Sequence, residues 1–330
     1  MKVVFHFFFV TALIIFGCSE AMGQKVIEKY EPAKQDSIQV GPGEKDYMPF
    51  IQSGYTLMLP EQDRIKGVLI FLEDSKYDQR NGNAQKVYSE AAAIDFAVLS
   101  VSSEIPLDFF FSETSILDCH RKIKEVFSEF KLPNEHIFLI GSSLVGHRAL
   151  KYIEFMNNQK TEFELHISGL VLCNFTMDWT RKWHQHQRDI RLNKIDLWEP
   201  KFINFMLEAH LEGTPESAPE NYHNFSSYSY SDTSLQNIQH YLDYDIRVYI
   251  EPAIEHRLDQ YYRTLYENNA TDMVGFVAEL RLAGNQDTEL KILQPPSGNE
   301  MQPTSVSSWN RVDKRELMNW ITSRVKQSDQ

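Results

Sequence analysis

HIFLIGSSLVGHRAL, residues 136–150, is the stretch from which the rest of the chain can be read. Ile137-Phe138-Leu139-Ile140 is a short apolar run of strand character. Gly141-Ser142-Ser143 supplies a tight turn, and the segment through His147 and Leu150 to Tyr152 has helix character. Strand, Gly-Ser turn and helix in that order are the context of a nucleophile elbow, where a serine at a strained turn lifts its hydroxyl clear of the sheet. The residue two before the serine must be tiny for strand and helix to pass, and Gly141 meets that demand for Ser143. Two places after the serine a second small residue is expected, but Val145 stands there and Gly146 comes one place late. Ser142 is the poorer nucleophile, because Ile140 and Leu144 would crowd its turn.

Outward from the elbow, apolar runs alternate with helical spacing. Ordered structure is expected to start with Phe50 to Leu59, and strands are expected over Gly67 to Leu72, Phe96 to Val101, Gly169 to Cys173, Ile246 to Ile250 and Leu290 to Leu293. Most are continuous apolar runs, the pattern of strands covered on both faces. Helices are expected over Ala84 to Ile94, through Ile116, Ile123, Phe127 and Phe130, and around Leu258 to Tyr266 and Val274 to Leu282. Asp313 and Glu316 form a capping box ahead of a terminal helix whose Leu317, Trp320, Ile321 and Val325 face inward. From residue 174 to 244 the alternation breaks into a stretch with Trp179, Trp183, Trp198 and a Tyr-rich run, which reads as a cap over the strand ends. The expected fold class is α/β, with a doubly wound, mostly parallel sheet.

The chain has 330 residues, 42% of them hydrophobic and 24% charged, enough to bury a sizeable core. Its net charge of −13 argues against nucleic acid or an anionic membrane surface as the main partner. Lys2, the apolar run Val3 to Phe16 and the small residues after it read as an export signal over residues 1–23. Ala21-Met22-Gly23 offers ordinary cleavage, while Ile15-Phe16-Gly17-Cys18 offers a lipoprotein signal over residues 1–17 with a lipid on Cys18. Both readings take the protein out of the cytoplasm, as a periplasmic, membrane-anchored or secreted species. Residues 24–48 are polar with Pro32 and Pro42 and read as a tether, leaving residues 49–330 as the folded domain. Cys119 and Cys173 lie in apolar stretches and read as buried thiols.

Gly141-Ser142-Ser143-Leu144-Val145-Gly146 after a buried strand, two strand–helix units before it, the cap-sized insertion and the closing amphipathic helix together resemble the α/β-hydrolase superfamily of esterases, lipases and peptidases. The resemblance spans roughly residues 50 to 327. It implies Ser143 as nucleophile, an acid after the next-to-last strand and a histidine base after the last strand. The plain alternative is that Ser143 only fills a tight turn.

Three slots depart from that pattern. The final strand is followed by Gln294 to Ser308, rich in hydroxyls but without an imidazole, and the last histidine of the chain is His256. A serine hydroxyl cannot serve as base, because its pKa lies far above working pH. In the acid slot Glu251 and Glu255 are the candidates, each with a solvated surface carboxylate as the bland reading, and Ala253 occupies the most natural place. The first oxyanion loop reads Glu73-Asp74-Ser75-Lys76, where two carboxylates would repel a developing negative charge. His256 is the candidate replacement base; His147 reads as packed on the sheet, and His184 with His186 as cap surface. No metal or cofactor motif stands out. Two functions follow: a protein with lapsed catalysis that binds a small molecule or peptide under the cap, or a serine hydrolase with a non-standard base. The three joint departures favour the first.

Overall fold

The computed structural model describes residues 24–34, 52–62, 64–73, 82–105, 110–143, 146–159, 163, 165–294 and 307–328. Eight strands form one sheet: β1 (Lys25–Pro32), β2 (Gln52–Leu59), β3 (Gly67–Leu72), β4 (Phe96–Ser102), β5 (Ile137–Ser142), β6 (Ile167–Cys173), β7 (Asp245–Ile250) and β8 (Thr288–Ile292). Their order across the sheet is β1-β2-β4-β3-β5-β6-β7-β8. The β1/β2 and β2/β4 pairs are antiparallel, and every other neighbouring pair is parallel.

Side chains of successive strand residues point to opposite faces, so each continuous apolar run serves two cores at once. Val68, Ile70, Leu99, Leu139, Leu170 and Val248 pack on one face with α2 (Glu113–Phe130), α3 (His147–Asn158) and α8 (Asn269–Leu282), through Ile123, Leu150, Ile153 and Phe276. Leu69, Phe71, Val98, Phe138, Ile140 and Val171 pack on the other with α1 (Tyr88–Ala92) and α9 (Lys314–Ser328), through Ala91, Leu317 and Ile321. At the start of α9 only half of the expected capping box forms: Asp313 accepts the Glu316 N–H at 3.0 Å, while the Glu316 carboxylate turns to Arg247 at 2.6 Å.

Between β6 and β7 lie α4 (Trp179–Leu192), α5 (Trp198–His210) and α6 (Pro219–Phe225). They have a core of their own, made by Trp179, Trp183, Phe202, Ile203, Met206, Leu207 and Tyr222. This small core is tied to the sheet layer by a buried bidentate pair, Arg181 on α4 with Asp272 on α8, at 2.5 and 2.6 Å. Both side chains are 3% exposed. After β7 comes α7 (Ile254–Tyr261), which starts earlier than its apolar residues suggest because Ala253 takes φ +38° and its carbonyl accepts the Arg257 N–H at 2.9 Å. Among the described residues no helix is long and apolar enough to cross a membrane.

One expectation is corrected. Residues 24–48 do not form a tether throughout, because Lys25–Pro32 pair residue for residue with Gln52–Leu59 as the edge strand β1. This strand is mostly exposed, so backbone hydrogen bonds hold it rather than apolar burial, and its composition carries little strand signal. Tyr30 adds one side-chain bond, 2.9 Å to Thr56.

Candidate active site

The loops that leave the carboxyl ends of β5, β6, β7 and β8 converge on one cleft of about 1020 Å³. Ser143, Asn174, Glu251 and Leu293 line it, each within two residues of the end of its strand. The carboxyl rim of a parallel sheet is where ligands bind in open α/β folds.

Ser143 sits at φ +60°, the left-handed conformation that a non-glycine residue adopts only under local constraint. The constraint comes from two glycines facing each other across the turn. A Cβ on Gly141 would lie 2.4 Å from the Gly146 carbonyl oxygen, and one on Gly146 would lie 2.5 Å from the Phe175 ring and 2.9 Å from the Ser142 nitrogen. Gly146 thus provides the clearance at its own position, with its N–H 3.0 Å from the Ser143 carbonyl. Val145 and Leu144 lie outside the described residues. Ser142 is buried, with no hydrogen-bond partner for its hydroxyl among the described residues.

The Ser143 hydroxyl meets another hydroxyl, that of Ser307, at 2.9 Å. Beside it, Ser308 donates to the Glu251 carboxylate at 2.7 Å and accepts from the Asn174 amide at 2.8 Å. Arg311 completes the set by an ion pair with Glu251. Trp309 locks the turn that carries these serines: it is fully buried, donates its indole N–H to the Asn83 carbonyl at 2.9 Å and meets Phe71 edge-on. Lys314 sits over the Trp309 ring at 4.4 Å and donates to the carbonyls of Trp309 and Val312.

Glu251 is therefore buried and paired, contrary to its bland reading as a solvated carboxylate, whereas Glu255 is exposed on the cleft rim. His256 lines the same cleft as Ser143 but shares no hydrogen bond with it; its Nε2 is buried without a partner among the described residues and its ring meets Tyr261 edge-on. Every histidine except His6 lies among the described residues, and none of them hydrogen-bonds Ser143. His147 is fully buried and meets the cap, edge-on to Trp179 at 4.9 Å and to Phe225 at 5.4 Å. His184 and His186 diverge: His184 is 3.5 Å from Glu216, while His186 is buried with Nδ1 3.0 Å from Asn204. Among the described residues no group of three or more potential metal ligands forms. Of the first oxyanion loop only Glu73 is described, its carboxylate accepting the Ala84 N–H at 3.2 Å; Asp74, Ser75 and Lys76 lie outside the described residues.

The hydroxyls of Ser307 and Ser308 were visible in sequence only as part of a Ser-rich loop. Asn174 and Arg311 carried no signal at all, because their contacts span 134 and 60 residues.

No protein-family model matches the chain, and no curated protein matches it. Solved structures do. A fungal esterase from Rhizomucor miehei superposes with a TM-score of 0.53 at 14% identity, over 92% of this chain and 84% of that one. Acylaminoacyl peptidase from Pyrococcus horikoshii gives 0.52 at 12% identity, over 91% of this chain and 41% of that one. A bifunctional GH43-CE protein from Bacteroides eggerthii gives 0.50 at 15% identity, over 82% and 36%. The chain spans about two fifths or less of the length of these last two proteins. With an eight-stranded, mostly parallel sheet, an elbow serine at positive φ after β5 and esterases and a peptidase as structural neighbours, this chain has the α/β-hydrolase fold.

Proposed function

We propose that this is an exported α/β-hydrolase-fold protein that binds a small molecule or peptide in the cleft under its cap without turning it over. The observation that carries the reading is the partner of Ser143. A nucleophilic serine needs a base that can take its proton near neutral pH. The Ser143 hydroxyl faces the Ser307 hydroxyl, and of the eleven histidines in the sequence all but His6 lie among the described residues without bonding it. Glu251, at the end of β7 where the fold would hold its acid, is engaged by Ser308 and Arg311 instead of by an imidazole. The cleft nevertheless remains large and lined by both polar and apolar groups, which suits binding. The apolar N-terminal run of Val3 to Phe16 supports export, with Cys18 as the candidate point of lipid attachment.

The competing reading is a serine hydrolase of esterase or peptidase type, with Ser143 as nucleophile. It has one specific observation in its favour: the unpartnered Nε2 of His256 lines the cleft that Ser143 lines. A fluorophosphonate probe separates the two. The expected result is no labelling above that of the Ser143→Ala variant. Strong labelling that disappears in Ser143→Ala and in His256→Ala would establish the hydrolase.

A further inference from the structure

We infer that the cleft holds an oxyanion-bearing ligand, anchored by Arg257 on α7 and Lys182 on α4. This rests on the reading of the cleft as a binding site and adds the chemical class of what it binds.

The inference starts from one cation without a partner and one that is only loosely paired. Five cationic side chains line or border the cleft wall, and three of them are held by close carboxylates. Arg181 is held bidentately by Asp272, and Arg263 by Asp189 at 2.5 Å. Arg311, on the far side, is matched by Glu251. Arg257 has neither an ion pair nor a side-chain hydrogen bond among the described residues, and its Nε is buried. Lys182 has a side chain 7% exposed, and its nearest carboxylate, Glu199, stands 3.7 Å away on a side chain that is 53% exposed. That separation makes a loose ion pair and not a hydrogen bond, so the buried ammonium has only a distant, solvent-exposed counter-charge.

Such an arrangement is costly in an empty cleft. Burial disfavours both cations, and the neighbouring Arg263 and Arg181 repel both further: Arg257 is held below the ordinary arginine range, and Lys182 is pushed down to about 8. A protein of net charge −13 has carboxylates to spare, yet none is placed against Arg257. A ligand oxyanion would supply the acceptor that the fold withholds, and a guanidinium is the donor best shaped for a carboxylate or phosphate. Trp198 and Ile254, both largely exposed and both in the cleft lining, offer apolar surface for the remainder of the ligand. The shared chemistry is thus an oxyanion on a partly apolar body.

Calorimetric titration of the full chain tests this with four probes at matched ionic strength: 4-phenylbutyrate, phenyl phosphate, inorganic phosphate and the neutral 4-phenylbutyramide. At least one oxyanion is expected to bind, and the amide to bind at least about tenfold more weakly, since a hydrogen bond to a charged group is worth about that factor or more. Which oxyanion wins distinguishes a carboxylate ligand from a phosphorylated one, and inorganic phosphate alone would point to the free ion. Arg257→Met and Lys182→Met should each weaken the best probe by about tenfold or more, with Arg257→Lys intermediate. Unchanged melting of Arg257→Lys keeps the comparison valid should either Met variant fold poorly. Equal affinity for the amide, or undiminished oxyanion binding in both Met variants, would overturn the oxyanion assignment while leaving the cleft as a binding site. Failure of all four probes overturns it too, and fluorophosphonate labelling of Ser143 in the same preparation would then show that the binding reading itself had failed.

Discussion

Cutting the Arg181–Asp272 pair should loosen the cap from the sheet layer, and its cost can be worked from the geometry. Asp272→Ala removes two charge-assisted bonds of 2.5 and 2.6 Å and leaves a guanidinium that is 3% exposed with only weaker neutral acceptors. It also removes the acceptor shared by the Met177 and Asp178 N–H groups, each 3.3 Å away. Breaking one side of a buried pair costs about 3–5 kcal/mol, because the other charge stays buried without compensation. Against a typical total of about 5–15 kcal/mol, that is a large fraction of the folding free energy. Arg181→Met should cost less, since Asp272 keeps its two backbone donors and can accept a proton. The double variant should be well short of the sum, with a coupling of about 1–3 kcal/mol. Urea unfolding monitored by tryptophan fluorescence gives all four corners of the cycle, with Trp179 and Trp183 reporting on the cap and Trp309 and Trp320 on the sheet layer. A cost below about 1 kcal/mol for Asp272→Ala, or single effects that simply add, would refute the view that this pair fastens the cap.

At the elbow, Gly146→Ala should destabilise by about 1–3 kcal/mol, because the new methyl meets the Phe175 ring and the Ser142 backbone inside 3 Å; an unchanged melting temperature would show that the turn is slack. Lys182 gives a pH signature. Its native pKa of about 8 lies below the ordinary 10.5, so between those values the unfolded chain binds more protons and stability rises with pH. Below about pH 8 the full penalty of about 3 kcal/mol applies, from 10.5 less about 8 at 1.36 kcal/mol per unit. Lys182→Met should therefore be more stable than the native sequence at pH 7, with the gap narrowing toward pH 10; a pH-independent gap would count against a buried charge on Lys182 that Glu199 only partly offsets. Cys119 and Cys173 are free and buried, and burial pushes the Cys173 thiol up to about 12, so both should react with a thiol reagent only after unfolding. Reaction of either in the native protein at pH 8 would contradict that burial.

The fold could be read from the sequence wherever one strand served two cores. Val68 to Leu72 and Phe138 to Ile140 are apolar at every position because each neighbouring pair faces opposite layers, and that requirement leaves a local mark. β1 leaves little: half of its residues are charged and most are exposed, and its place is set by backbone pairing with β2 across 19 intervening residues or more. The same division runs through the site. Ser143 was legible because the Gly-Ser turn is local, but the role of Gly146 depends on Phe175, which arrives from the end of β6. Glu251 looked solvated because Arg311, 60 residues on, gives no local sign that it will return to pair with it. Ser307 and Ser308 are one feature of a polar loop until the burial of Trp309 brings them against β5 and β7. Lys182 and Arg257 likewise look like ordinary surface cations, and only the cleft between α4 and α7 makes them unusual.

The edge strand β1 has a consequence for how the protein behaves at high concentration. β2 behind it reads QSGYTLML, without a single charge and buried along nearly its whole length. Stripped of its neighbour, such a strand would present a row of unpaired amides and carbonyls to any other chain, the usual template for intermolecular β-pairing. β1 covers that row and turns outward Glu28, Lys29, Glu31 and finally Pro32, which has no amide hydrogen to offer. With few apolar contacts of its own, β1 should matter more to solubility than to the core: trimming the chain at residue 33 is expected to leave the packed layers and promote aggregation, which light scattering would read.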